Sequence, residues 1–239
     1  MKALLTFGAL TVAALSQAQI ITQWNFNGAD ANNIPGGTAS PTPAIGLGTA
    51  SLLGGATATF ASGNSNGGST DPVADATDFA WNSSTYAAQS TENGQRGVRF
   101  NVSTVGFTGI MFSFDQRKSN TSSRYTRVDY TLDGTNFVSL ATLDGSAGDT
   151  WFNSNNFDLS SVTGADNNAN FGFRVVAVFD PTNPTAGVYA PSNSTSTYGT
   201  SSTIRYDMVT VSGAPVPEPA TMVVLAGAGL AALARRKRN

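Results

Sequence analysis

Carboxylates, amides, hydroxyls and a few cationic side chains are all that this chain can bring to chemistry, because its 239 residues include no histidine and no cysteine. A Ser-His-Asp triad, a Cys-His pair and a His-liganded zinc or copper centre are thereby excluded. In the stretch Gln19–Gly213 the acids are thirteen Asp and a single Glu, Glu92. Asp129 and Asp133 flank a predicted strand and its turn, and Asp115 falls on a neighbouring one. A glycosidase needs two such carboxyls about 5–10 Å apart, one with a raised pKa. Against that use, Asp133-Gly134 is a hairpin-turn pair, and a turn Asp already has a complete structural task. No residue is assigned as catalytic.

Aromatic rings are the other resource. Trp24, Trp81 and Trp151, with Tyr86, Tyr125, Tyr189 and Tyr198, could stack on the apolar faces of sugar rings. Trp81 and Tyr86 lie in a polar stretch, and Tyr189 and Tyr198 in a long late loop, so these four are the ligand-binding candidates. The competing reading is that they lock loops onto the domain. Trp24 alternates with Phe26 and reads as core. Arg117, Lys118, Arg124 and Arg127 form one basic cluster with serines and threonines inside it. It reads as a solvated loop tip, with an anionic polysaccharide as the alternative partner.

The elements that must position these residues are strands. Asp, Asn, Gly, Ser and Thr dominate, a composition of turns and strands rather than helices. Ile20–Phe26 alternates, with Ile20, Thr22, Trp24 and Phe26 expected on one side. Ala56–Ala61 is a short candidate, and Ser62–Asp78 reads as a long irregular loop. From Gly97 the period of two is plain: Gly97–Ser103, Gly109–Gln116, Arg124–Leu132 with a return strand Phe137–Leu143, Asn170–Phe179 and Thr203–Ser212. Phe157–Val162 reads as a short apolar connector. About eight or nine strands with no helical stripe between the termini predict an all-β domain, an antiparallel jelly-roll-like β-sandwich.

The two ends differ from this body. Residues 1–18 carry one early charge, Lys2, then the apolar stretch Ala3–Leu15 and the small-residue site Ser16-Gln17-Ala18, the pattern of a secretory signal peptide. Residues 19–213 form the predicted sandwich, and residues 214–239 a separate tail. With 8 basic against 14 acidic groups, Gln19–Gly213 has a net charge of −6, which argues against nucleic acid as a partner. In the tail, Pro217-Glu218-Pro219 precedes 15 uncharged residues, Ala220–Ala234, and then Arg235-Arg236-Lys237-Arg238. As a helix that run is about 22 Å long against a bilayer core of about 30 Å, so a single transmembrane helix requires snorkelling arginines. The basic end would stay cytoplasmic.

This ordered tail resembles the PEP-CTERM sorting signal of Gram-negative bacteria. The resemblance implies recognition through Pro217, Glu218 and Pro219, with Arg235 and Arg236 in the basic end, by a membrane-embedded exosortase. It also implies a helix that serves as a temporary anchor in the inner membrane. More weakly, Arg99-Phe100 through Phe137-Val138 and the closing Ile204–Val211 resemble secreted bacterial jelly-roll modules, carbohydrate-binding modules among them. In such modules the first and last strands share a structural calcium, which implies Asp30, just beyond the first strand, and Asp207, inside the last, as metal ligands. Calcium prefers such oxygen donors.

The resulting expectation is a protein exported by the Sec route, anchored in the membrane and then passed to the cell surface or extracellular matrix. Its role there is structural or adhesive, or associated with exopolysaccharide, and not enzymatic. The alternatives are a secreted carbohydrate-active hydrolase using Asp carboxylates and a membrane-retained carbohydrate-binding protein.

Overall fold

The computed structural model describes residues 17–27, 40–73 and 75–217, and within them every regular element but one is a strand. In chain order these are β1 (Gln19–Trp24), β2 (Thr49–Leu53), β3 (Thr57–Ser62), β4 (Phe79–Ser84), β5 (Gly97–Asn101) and β6 (Phe107–Lys118). They continue with β7 (Tyr125–Thr131), β8 (Phe137–Asp144), β9 (Thr150–Asp158), β10 (Gly172–Ala177) and β11 (Ile204–Pro215). The exception is a single 3-10 turn at Ser65–Gly67. Every ladder is antiparallel.

The strands form two sheets that pack as a sandwich. One runs β3-β4-β11-β6-β9, with β1 also on β11; the other runs β2-β5-β10-β7-β8. Alternation explains the packing: Val98 and Phe100 of β5, Phe112 and Phe114 of β6, and Phe173 and Val175 of β10 all point inward and are buried. Phe173 spans the gap between sheets, stacking on Phe112 at 4.2 Å and on Phe100 at 5.2 Å between ring centroids. Offset stacks of this kind add to the apolar area that each ring removes from water.

Three departures from the sequence reading have local causes. Ile20 was expected beside Thr22 and Trp24, but the β1–β11 register shifts between Ile20 and Thr22, and Ile20 is 44% exposed. A bulge residue reverses the facing of whatever precedes it. The eleven strands exceed the expected eight or nine because β2, β4 and most of β9 lack an apolar alternation; β9 reads TWFNSNNFD. Its Asn and Ser are tolerated at the sheet edge, where one side faces water. Finally, Arg117, Lys118, Arg124 and Arg127 do not form a solvated loop tip. Lys118 is 0% exposed and lies between the sheets, its ammonium donating to Arg124 O at 2.6 Å and Thr126 Oγ1 at 3.3 Å. Arg117 is buried too, and pairs with Asp149.

Residues 1–16 of the expected signal peptide, 1–18, and all of the expected transmembrane helix, Ala220–Ala234, lie outside the described residues. Among the described residues no helix is long and apolar enough to cross a membrane.

Candidate metal centre

The six-stranded sheet contains a break. One edge of β11 pairs with β6; the other is divided between two strands. β4 takes Ile204–Tyr206 and β1 takes Val209–Gly213, so Asp207 and Met208 have no strand beside them on that side. The cause is a bulge. Met208 has φ +46°, and the β11–β6 register shifts between Asp207 and Thr210. This turns both Tyr206 and Val209 into the core and leaves Asp207 between them aimed the other way, a re-aiming typical of bulges.

Into that opening come residues from β1's exit and from the loop that leads into β4. Asn27 joins the two halves: its Oδ1 accepts from Phe79 N at 2.7 Å and its Nδ2 donates to Asp71 Oδ2 at 2.8 Å. Asp71, Asp78 and Asp207 are all buried, and each offers a carboxylate oxygen within 4.8 Å of the other two. Ser69 Oγ and Met208 N donate to the two oxygens of Asp207, both at 2.7 Å. Asp71 Oδ1 accepts from Val73 N at 2.8 Å. Asp78 Oδ1 is buried with no hydrogen-bond partner. Asp115, the β6 partner of Asp207, adds a fourth carboxylate alongside; it accepts from Thr70 N and Oγ1 and from Ser154 N at 2.6–2.7 Å.

The surrounding chain is shaped to leave room. A Cβ on Gly63 would lie 2.0 Å from Asp78 Oδ1 and 2.9 Å from Asp207 Oδ2, so only glycine fits there. The loop is tied down from β9, where Trp151 Nε1 donates to Ser65 O at 2.8 Å and Asn153 Nδ2 to Gly68 O at 3.0 Å.

Burial and crowding set the electrostatics. Burial, opposed by its hydrogen bonds and reinforced by the charges of Asp78 and Asp71, pushes Asp207 up to about 9. Burial, with the charges of Asp71 and Asp75 behind it, pushes Asp78 up to about 6. Asp71 is also raised, again chiefly by burial. Buried like charges with an orphan oxygen among them are stable only if neutralised, by protons or by a cation. The donor set is all oxygen, which suits calcium rather than a transition metal.

Of the two metal ligands expected from sequence, Asp207 is therefore in this cluster, while Asp30 lies outside the described residues. Asp71 and Asp78 were missed inside the stretch read as an irregular loop. The available signal was the spacing of Asp71, Asp75 and Asp78 in an otherwise acid-poor neighbourhood, although Asp75 itself only closes a turn on Thr77.

The four aromatic ligand candidates are corrected by their burial. Trp81, Tyr86, Tyr189 and Tyr198 are 1%, 2%, 2% and 8% exposed, so none offers a ring face to a sugar in solution. They lock loops instead. Tyr189 and Tyr198 stack at 4.9 Å, Tyr198 Oη donates to Ala87 O at 2.8 Å, and Tyr86 Oη meets Ser83 Oγ at 2.6 Å. The carboxylate pair fares no better: Asp115 is in the six-stranded sheet and Asp129 in the five-stranded one. Both Asp129 oxygens are held, by Arg127 at 2.7 and 3.0 Å and by Arg174 at 2.7 Å. Asp133 caps its turn through Thr135 N and Asn136 N at 2.8 and 2.7 Å. Of the sorting residues, Pro217 is exposed just beyond β11, and Glu218, Pro219, Arg235 and Arg236 lie outside the described residues.

Fold and site together define an antiparallel β-sandwich with an acidic pocket at a break in one sheet. Residues 215–238 match the PEP-CTERM protein-sorting motif, so the chain carries the signal that its tail resembles. That motif is read by exosortase-type enzymes and marks an exported protein. No curated protein matches the chain. Among solved structures, the N-terminal CBM22-1-CBM22-2 tandem domain of Paenibacillus barcinonensis Xyn10C is similar, with a TM-score of 0.46 and 11% identity. The match covers 88% of this chain and 53% of that one, so the chain spans about half the length of the tandem.

Proposed function

We propose that this chain is an exported, non-catalytic β-sandwich, delivered by its tail to the cell surface or extracellular matrix, and that calcium closes the break in its six-stranded sheet. The observation that carries the reading is Asp78, whose Oδ1 is buried and unpartnered and which offers a carboxylate oxygen within 4.8 Å of ones from Asp71 and Asp207. Asp71 and Asp78 come from the loop into β4 and Asp207 from β11, so an ion among them ties loop to sheet where backbone pairing is missing. The role is structural: the cation replaces a stretch of ladder. Calcium titration of the purified protein tests the metal, and fractionation with intact mass of the native protein tests the sorting. Recovery of the full-length chain from the cytoplasm would contradict the export reading.

A contact with acidic exopolysaccharide is favoured by one further observation. On the outer face of the five-stranded sheet, Arg99 of β5 is paired with Arg174 of β10, and Arg174 with Asp129 of β7. The Arg99 and Arg174 guanidiniums sit 5.1 and 4.2 Å from the Phe137 ring centroid. An open cavity of about 300 Å³ adjoins Arg99, lined also by Thr49, Asn101 and Asn170 among others. Arg99, Arg127 and Arg174 against the single Asp129 leave a positive excess on that face of a body of net charge −6. Retardation of the protein in a gel containing a uronate polymer, reduced in Arg99→Ala, tests this contact. Unchanged mobility in neutral and acidic gels alike would count against it. The hydrolase alternative is disfavoured by the separation of Asp115 from Asp129 and by the two arginines that occupy Asp129.

A further inference from the structure

The signal-cleavage site and the sorting tail meet at one corner of the sandwich. Gln19, the first residue of β1, is the ladder partner of Gly213, two residues before β11 ends, and beyond that end Val216 N donates to Gly106 O at 2.8 Å. Four segments converge here: residues 17–24, the loop 41–48 beside β1, residues 102–112 and residues 208–217. None contains a charged residue. Of the seven large hydrophobic residues exposed among the described residues, six belong to these segments: Ile20, Ile45, Leu47, Val105, Met111 and Val216. Only Val138, on the other sheet, lies apart. Ile45 and Leu47 are held against β1 by Gln23 N to Ile45 O and by Thr22 Oγ1 to Leu47 O. Ile20 and Met111 flank Ser212 from its two sides. The acids that border these segments are Asp158, the ladder partner of Met111, Asp166, whose carboxylate accepts from Ile110 N, and the buried Asp207, next to Met208.

We infer that this uncharged corner is a lipid-contacting surface, which rests on the bilayer while the tail is inserted. The inference depends on the reading of Ala220–Ala234 as a membrane anchor. First, the tether is short. From Pro215 to Ala220 the chain takes five steps, at most about 18 Å when fully extended, whereas a 12-residue strand such as β6 or β11 is about 40 Å long. The corner must therefore stay near the membrane, whichever way the rest of the sandwich leans. Second, bacterial membrane surfaces that carry anionic lipid repel the acidic parts of a body of net charge −6, and the uncharged corner approaches without that cost. Exposed aliphatic residues at that corner then meet the interface, where apolar side chains bind better than in water.

The test uses the full chain with its tail, reconstituted into phosphatidylcholine–phosphatidylglycerol vesicles. The absence of cysteine lets single labels be placed cleanly, as Val105→Cys at the corner and Val138→Cys as the distant reference, each carrying an environment-sensitive fluorophore. Flotation with the vesicles reports insertion of the tail. The expected result is flotation of both proteins, with a blue shift and quenching by headgroup-region nitroxide lipids at position 105 and neither at 138. Flotation with indistinguishable labels would overturn the lipid contact alone. Absence of flotation would overturn the anchor reading, and the contact with it. A blue shift at 105 without quenching by nitroxide lipid would mean that a second protein copy covers the corner, and would equally overturn the inference.

Discussion

Asp207 and Asp115 face each other across the β11–β6 ladder, and one loop holds both carboxylates: Ser69 donates to Asp207 and Thr70 to Asp115. Two adjacent buried carboxylates would ordinarily force strands apart. Here the loop that covers them brings Asp71 and Asp78 as well, which concentrates negative charge rather than diluting it. The arrangement makes physical sense if a cation belongs among them.

The cation should bind in competition with protons. Asp207, pushed up to about 9 by burial, holds its proton at neutral pH in the cation-free protein. Its pKa in the unfolded chain is 3.8, so the folded state binds more protons between about 4 and 9, and cation-free stability falls as pH rises through that window. Calcium displaces the proton, so its apparent affinity should rise with pH toward 9. The calcium-induced rise in melting temperature is accordingly expected to be larger at pH 8 than at pH 5. A shift equal at both pH values would contradict the proton competition.

Gly63→Ala should damage the pocket without altering any ligand. Its Cβ would press on Asp78 Oδ1 from 2.0 Å, and Asp78 is a short side chain with little room to retreat. Overpacking of this kind costs about 1–3 kcal/mol. Denaturant unfolding should show that loss together with a blunted calcium response. Wild-type behaviour in both would show that the pocket is looser than it looks.

Lys118 should leave a signature of opposite sign. Burial pushes its amine down to about 7, with the charge of Asp144 opposing, whereas in the unfolded chain it titrates near 10.5. Between those values the unfolded chain binds more protons, so Lys118's contribution is lowest below about 7 and improves as pH rises to about 10.5, by up to about 1.4 kcal/mol per pH unit. Subtracting the stability of Lys118→Met from that of the wild type, pH by pH, isolates this slope. A flat difference would mean that water reaches the ammonium.

Asp129→Asn should weaken the five-stranded sheet, because it leaves Arg127 and Arg174 without their shared charge. Asp129 is 1% exposed, so the loss is on the order of 2–3 kcal/mol, measurable as a lower denaturant midpoint. The same variant bears on the hydrolase alternative: if the wild type released reducing sugar from a polysaccharide and the variant did not, the non-catalytic reading would fail.

How much of this was legible in the sequence follows from where each side chain's partner sits. β5, β6, β7, β10 and β11 show a period of two because alternate residues meet the opposite sheet, and hydrophobic alternation reports that directly, while β8 was legible from the Asp133-Gly134 turn before it. β9 was missed because its Asn and Ser residues bond to neighbouring backbone, as Asn155 Nδ2 does to Phe114 O and Phe152 O. The tail was legible because its three parts are contiguous. At the pocket, only Asp207 stood out, through its place inside an apolar strand. Asp71 and Asp78 acquire meaning from a break in strand pairing along β11, whose bulge at Met208 is more than a hundred positions away. The aromatic candidates misled for a related reason: Tyr189 and Tyr198 sit in polar surroundings in sequence, but loop closure folds them against Phe179 and each other.

Thermal melting of the mature protein in calcium and in chelator, repeated for Asp207→Asn, decides whether a cation closes the break in the six-stranded sheet. The wild type is expected to melt higher in calcium and lower in chelator. Asp207→Asn should be insensitive to both and, in chelator, at least as stable as the wild type, because a neutral amide replaces a buried acid that must otherwise hold a proton. A wild-type melting curve that is unchanged between calcium and chelator would contradict closure of the break by a cation.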